Sequence, residues 1–182
     1  MNIKNGSVLV AEPFMWDTNF HRSVVVVTDH HADGTHGFIL NKPLDIKVND
    51  LLFEFPKFEA NVYFGGPMAN DRIDFLHNVG DLLSDSLPVA DGVWWGGDYN
   101  ELVFLAENEL VTPKNLRFFL GYTGWSPNQL QEELDDKAWI MAHGSPNYIF
   151  NPRTFNLWRE VLQHQNSRLA ILADMPDDYF WN

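Results

Sequence analysis

The chain has 182 residues, of which 45% are hydrophobic, and its 25 Asp and Glu outnumber 12 Lys and Arg to give a formal net charge of −13. That size suits one domain, residues 1–182, with a substantial core, while the acid excess argues against direct binding to nucleic-acid phosphates or an anionic membrane. The absence of cysteine excludes disulfides, thiol nucleophiles and cysteine-held zinc.

In chain order, Met1 to Gly6 lacks the apolar run of a signal peptide, and no later segment is long enough to cross a bilayer, so a cytoplasmic location is expected. Ser7 to Ala11 reads as a buried strand, and Glu12 to His21 as a structured loop or single helical turn. Ser23 to Thr28, with consecutive valines, fits a strand buried on both faces. Gly37 to Leu40 resumes as its hairpin partner after a longer loop at Asp29 to Thr35, and Pro43 ends that strand. A short helix is predicted over Val48 to Phe53, with strands over Asn61 to Phe64, Ile73 to His77 and Val93 to Trp95. Gly80 to Asp91 reads as polar turns.

Asp98 and Glu101 form a capping-box pattern ahead of Leu102, Leu105 and Ala106 at helical spacing. Leu116, Phe118, Leu120 and Tyr122 alternate along a strand. Ser126-Pro127-Asn128-Gln129 supplies an N-cap, a first-turn proline and a Gln three residues on, with Leu130 and Leu134 facing the core of the helix that follows. A strand over Ala138 to Ala142 precedes a last helix, opened by Asn151-Pro152, whose stripe is Phe155, Trp158, Val161 and Leu162. The aromatic tail, Tyr179-Phe180-Trp181, suggests docking. Strands come first and helices concentrate in the second half, which favours an α+β fold with a mainly antiparallel sheet.

Several segments carry a resemblance. Asp17-Thr18-Asn19-Phe20-His21-Arg22-Ser23-Val24 is followed by His30, Gly34 and Gly37-Phe38-Ile39-Leu40-Asn41-Lys42-Pro43. Then come Val62-Tyr63-Phe64-Gly65-Gly66-Pro67 and Gly121-Tyr122-Thr123-Gly124-Trp125-Ser126-Pro127-Asn128-Gln129-Leu130, with Glu133 and Trp139. In this order, from about Gly6 to Leu162, they resemble the bacterial YqgE/AlgH family. The resemblance implies a bifurcated sheet, partly closed into a small barrel and surrounded by helices. It also brings a label of transcriptional regulator for some members, but no catalytic residues. The family's usual Asn-Arg-Pro is here Asn41-Lys42-Pro43, and Lys lacks the planar fork that would clamp an anion bidentately.

Each motif admits a structural and a functional reading. Gly65-Gly66-Pro67 and Gly96-Gly97-Asp98 are strand-ending turns or, less simply, ligand cradles; neither continues as a phosphate loop. The corner Gly121 to Trp125 leads into a capped helix whose N-terminus could attract an anion, or is simply close-packed, with Gly124 as the residue that must lack a side chain. Gln129 and Glu133, one turn apart, could line a pocket or share a surface hydrogen bond. His30, His31 and His36 near Asp29 and Asp33 lack the spacing of a metal site, and no metal or cofactor is expected. No nucleophile elbow occurs, and neither Ser23 nor Ser145 has an activating neighbour in sequence.

These readings favour a binding or regulatory protein acting through an unknown protein or small-molecule partner. Its recognition candidates are Arg22, Asn41, Trp125, Gln129 and Glu133, of which Asn41, Trp125 and Gln129 should converge on one concavity. An enzyme of unknown chemistry, a hydrolase in first place, and a transcriptional regulator are the alternatives.

Overall fold

Aliphatic and aromatic strands from both halves of the chain assemble into one ten-stranded sheet. The structure is a computed structural model that describes residues 2–142 and 146–165 together with Ile171. Ser145 and the aromatic tail lie outside the described residues. The strands are β1 (Val8–Ala11), β2 (Val24–His31), β3 (Gly34–Ile39), β4 (Pro43–Lys47) and β5 (Asn61–Phe64), then β6 (Met68–His77), β7 (Leu87–Ala90), β8 (Val93–Trp95), β9 (Leu116–Trp125) and β10 (Trp139–Ala142). The helices are α1 (Val48–Leu51), α2 (Tyr99–Glu107), α3 (Gln129–Asp135), α4 (Pro146–Ile149) and α5 (Leu157–Gln165).

The main path runs β10-β1-β2-β3-β9-β6-β8-β7, and a β4–β5 pair joins it at β9. The bifurcation lies on one edge of β9. Its first half pairs parallel with β5 through Tyr63↔Phe119 and Phe64↔Leu120, and its second half pairs antiparallel with β3 from Thr35↔Trp125 to Gly37↔Thr123. The fold is α+β and mainly antiparallel, as expected. The path ends at β10 and β7, which do not pair with each other among the described residues, so the sheet remains open rather than closing into a barrel.

Three clusters hold the molecule. Val8, Val10, Val24, Val26 and Phe38 pack on one face beneath Trp158, Val161 and Leu162 of α5. Their neighbours Leu9, Ala11, Val25, Val27 and Ile39 point the other way, against Trp125, Leu130 and Trp139. Strands buried on both faces explain the unbroken valine run, because the two-residue period fills two cores at once. A third cluster, including Phe55, Phe58, Phe75, Leu102, Leu105 and Phe118, lies under α1 and α2.

Several expectations need correction. The β2–β3 hairpin has a two-residue loop, Ala32-Asp33, between the paired His31 and Gly34, because both strands continue through polar residues. Pro43 begins β4 rather than only ending a strand, a position where its missing N–H costs little. The polar Gly80–Asp91 stretch contains the short edge strand β7, which carries Pro88. Leu116 to Tyr122 does not expose alternate residues, since Arg117 and Phe119 are buried too. In the final segment a 3-10 turn at Thr154–Asn156 shifts the helical frame, leaving Phe155 94% exposed and placing Leu157 in the core.

Candidate functional site

The carboxylate of Glu133 is the centre of a built cluster. Its Oε2 accepts from the indole N–H of Trp125 and from that of Trp139, both at 2.8 Å. Its Oε1 accepts from Gln129 Nε2 at 2.9 Å, and Gln129 Oε1 accepts in turn from Ser126 N at 2.9 Å. The rings of Trp125 and Trp139 meet edge to face at 5.9 Å. Helix α3 makes this possible by placing Gln129 and Glu133 one turn apart above Leu130. It starts later than the sequence suggests: Pro127 and Asn128 form a turn, Asn128 has φ +65°, and only the Gln129 half of the capping box forms.

Arg22 and Asn41 belong to a second cluster. Asn41 Oδ1 accepts from Val24 N at 2.8 Å, and its Nδ2 donates to Arg22 O at 2.9 Å. Lys42 Nζ donates to Thr18 O and Asn19 O at 3.2 and 2.6 Å, and burial lowers its pKa despite Asp17 nearby. The Arg22 guanidinium lies 4.9 Å from the Trp158 ring centroid. The Asn-Lys-Pro segment thus clasps the backbone of the preceding loop, a task for which an ammonium suffices. The five candidates form two groups: Trp125, Gln129 and Glu133 are joined directly, while the side-chain hydrogen bonds of Asn41 run to the β2 entrance.

A histidine between aromatic rings marks the next part of the surface. His36 stacks on Trp95 and Tyr122 with centroid separations of 4.6 and 4.4 Å. Its Nδ1 lies 2.7 Å from Thr28 Oγ1, and that hydroxyl donates to His36 O at 3.3 Å. Nε2 is buried without a partner among the described residues. Burial, only partly opposed by Asp74, lowers the His36 pKa to about 4. Asp74 is itself buried and accepts from Trp95 Nε1 at 3.1 Å and Arg72 NH2 at 2.9 Å, with Arg72 Nε 2.7 Å from its other oxygen. The metal motif weighed His36, but its partners Trp95, Asp74 and Arg72 went unrecognised. The usable signal was Asp74 between Ile73 and Phe75, a charge within an apolar strand.

Gly121 precedes Tyr122, the β9 member of this stack. Its φ is +69°, and the β6–β9 register shifts between Met68/Tyr122 and Ile73/Leu120. Four residues of β6, Ala69 to Arg72, therefore stand opposite Gly121 alone, and a Cβ on Gly121 would lie 2.6 Å from Gly66 O. Gly65 and Gly66 are likewise filled by the β9 backbone, which makes Gly65-Gly66-Pro67 a close chain crossing rather than a ligand cradle. Gly124 has no such constraint: its Cβ would meet Tyr122 Cε2 at 3.2 Å in an exposed position.

Two concavities flank the hairpin tip. The larger, about 860 Å³, is lined by Asp29, Asp33, His36, Met68, Tyr122 and Trp125 among others, and continues to Ser126 and Pro127. The other, about 440 Å³, includes Asn2, His30, Asn128 and Gln131. Both share His31, Ala32, Gly34 and Thr35. Of the five candidates only Trp125 lines them, so the expected convergence of Asn41 and Gln129 around one of these openings does not occur. His30 and His31 are engaged separately, by Thr35 and Asp29, and no three His, Asp or Glu among the described residues form a metal-holding group. Ser86 Oγ lies 3.2 Å from His77 Nε2, but that nitrogen is 2.8 Å from Gly96 O and the hydroxyl donates to Leu83 O. A ring nitrogen donating to a carbonyl is no base for serine, so this pair braces a turn.

The model of the AlgH-like family matches residues 8–170, a span that includes the clasp, the glycine crossing and the Trp125–Glu133 corner. The chain belongs to the AlgH-like family. A UPF0301 protein of Pelodictyon phaeoclathratiforme is 37% identical over 175 residues, covering 96% of this chain and 94% of its own. One from Cytophaga hutchinsonii is 36% identical and covers 97% of each chain. Among solved structures, a Corynebacterium diphtheriae protein superposes with a TM-score of 0.79 at 23% identity, over 96% of this chain and 94% of that one. The AlgH protein of Pseudomonas aeruginosa gives 0.74 at 23% identity, over 97% and 98%. These two establish a shared AlgH-like fold. No helix among the described residues is long and apolar enough to cross a membrane.

Proposed function

We propose that this AlgH-like chain is a cytoplasmic binding protein that acts through a protein partner, and that the face around the β2–β3 tip is its recognition surface. The observation that carries this reading is the pair of open concavities on either side of one two-residue tip. Shallow, open surfaces suit a polypeptide better than an enclosed small molecule. The corner beside them is held by hydrogen bonds: Glu133 fixes Trp125, and Gln129 fixes Ser126. On this reading Gln129 and Glu133 are positioning residues, whereas Arg22 and Asn41 stabilise the clasp. A regulatory role in transcription would follow indirectly, through the partner.

The test is site-specific photocrosslinking in cells. A photoreactive residue at Ala32 or Asp33 should give one discrete heavier adduct, while the same residue at exposed Asn100 on α2 should not. Equal adduct patterns at the two places would remove the tip from consideration.

A further inference from the structure

The larger concavity has a one-sided electrostatic lining. Asp29 and Asp33 contribute carboxylates, and no Lys or Arg is among the residues that form it. His31 lies 2.8 Å from Asp29 but is 70% exposed, so a competing cation displaces it at little cost. His36 is neutral at pH 7, since burial lowers its pKa to about 4. The wall also includes half-buried Tyr122, Trp125 and Met68, which is 48% exposed. The whole chain carries a net charge of −13, which adds a long-range attraction for cations.

Resting on the reading above, we propose that this concavity receives an arginine side chain from an extended segment of the protein partner, with Asp29 and Asp33 holding the guanidinium and Met68 and Tyr122 receiving its stem and plane. Arginine fits better than lysine. Its planar fork pairs with carboxylates and packs on an aromatic ring, whereas a compact ammonium keeps its water. A chain segment fits better than a free polyamine because the second concavity continues past the tip. There Asn2, Asn128 and Gln131 offer amides suited to a polypeptide backbone.

The experiment is an amide-resolved NMR titration of the full chain with a blocked Gly-Gly-Arg-Gly-Gly peptide, its citrulline counterpart and spermidine. Citrulline keeps the shape of arginine and removes its charge. The arginine peptide should shift amides within Asp29 to His36 and Tyr122 to Ser126, at least tenfold more tightly than the citrulline peptide, and more tightly than spermidine. The double variant Asp29→Asn/Asp33→Asn should lose that tenfold preference while keeping its denaturation midpoint. Equal shifts from both peptides on this face would overturn the arginine assignment and leave the binding surface standing. Spermidine matching the arginine peptide would overturn the protein segment. Shifts scattered over the acidic surface would overturn the site, and silence at this face with every probe would count against the recognition surface as well.

Discussion

Replacing Glu133 by Ala tests the idea that one carboxylate organises the corner beside the recognition face. The change removes the acceptor of two indole N–H groups whose residues, Trp125 and Trp139, are only 6% and 3% exposed. A buried donor left without a partner costs about 1–3 kcal/mol, and a bond to a charged acceptor sits at the upper end. Glu133 is only half-buried, so water will reach part of the vacated space, and the net loss should be about 3 kcal/mol. Urea denaturation followed by tryptophan fluorescence and by circular dichroism measures it. Glu133→Gln, which keeps one carbonyl oxygen but turns an NH2 toward donors, should lose about 2 kcal/mol. A double-mutant cycle with Trp125→Phe should return a coupling of at least about 1 kcal/mol. Losses below about 0.5 kcal/mol for Glu133→Ala would mean that ring packing alone holds the corner, and the argument for positioning would fail.

Three other outcomes follow from the geometry. Gly121→Ala should destabilise by about 2–4 kcal/mol, through a left-handed backbone and collision with Gly66 O, whereas Gly124→Ala should change the midpoint little; reversed denaturation midpoints would refute the crossing argument. The neutral His36 of the folded state has its pKa lowered from 6.5 to about 4, so the unfolded chain binds a proton first. Its stabilising contribution is therefore complete above pH 6.5 and falls as the pH drops toward about 4, by about 2–3 kcal/mol. His36→Gln should flatten the stability profile between pH 6.5 and 5, and an unchanged slope would remove His36 as its source. Asp98→Ala removes the acceptor for Glu101 N at 2.9 Å and should cost about 1 kcal/mol by urea denaturation; no loss would show that the bond of Glu101 to Ser84 suffices to hold the α2 entrance.

Local chemistry made much of the fold legible. The valine run, the Asp98 cap and the apolar Asn61 to Phe64 strand each obey a rule that acts within a few residues. β4 and β7 stayed hidden because their prolines read as breaks, although edge and starting positions tolerate a missing donor. The demand for glycine was assigned to the wrong residue of the Gly121-to-Trp125 motif for a similar reason. Backbone collision at Gly121 involves Gly66, and sequence spacing cannot reveal that crossing. The Glu133 cluster was half legible, since helical spacing joins it to Gln129 while its bonds to Trp125 and Trp139 depend on tertiary packing. His36 was visible only as one of several histidines, because its stacking partners come from β8 and β9.

The position of β9 has a consequence during synthesis. β1, β2 and β3 leave the ribosome first and can pair locally, yet β3 keeps an open edge until Thr123 to Trp125 arrive. β5 and β6 wait for the same strand. For the time needed to translate from Ile39 to Trp125, the nascent chain presents unpaired strand edges beside aliphatic surface, the form most open to aggregation or chaperone capture. Because the outer edge of β1 waits for β10, part of this exposure outlasts β9 and ends only once Ala142 has been made.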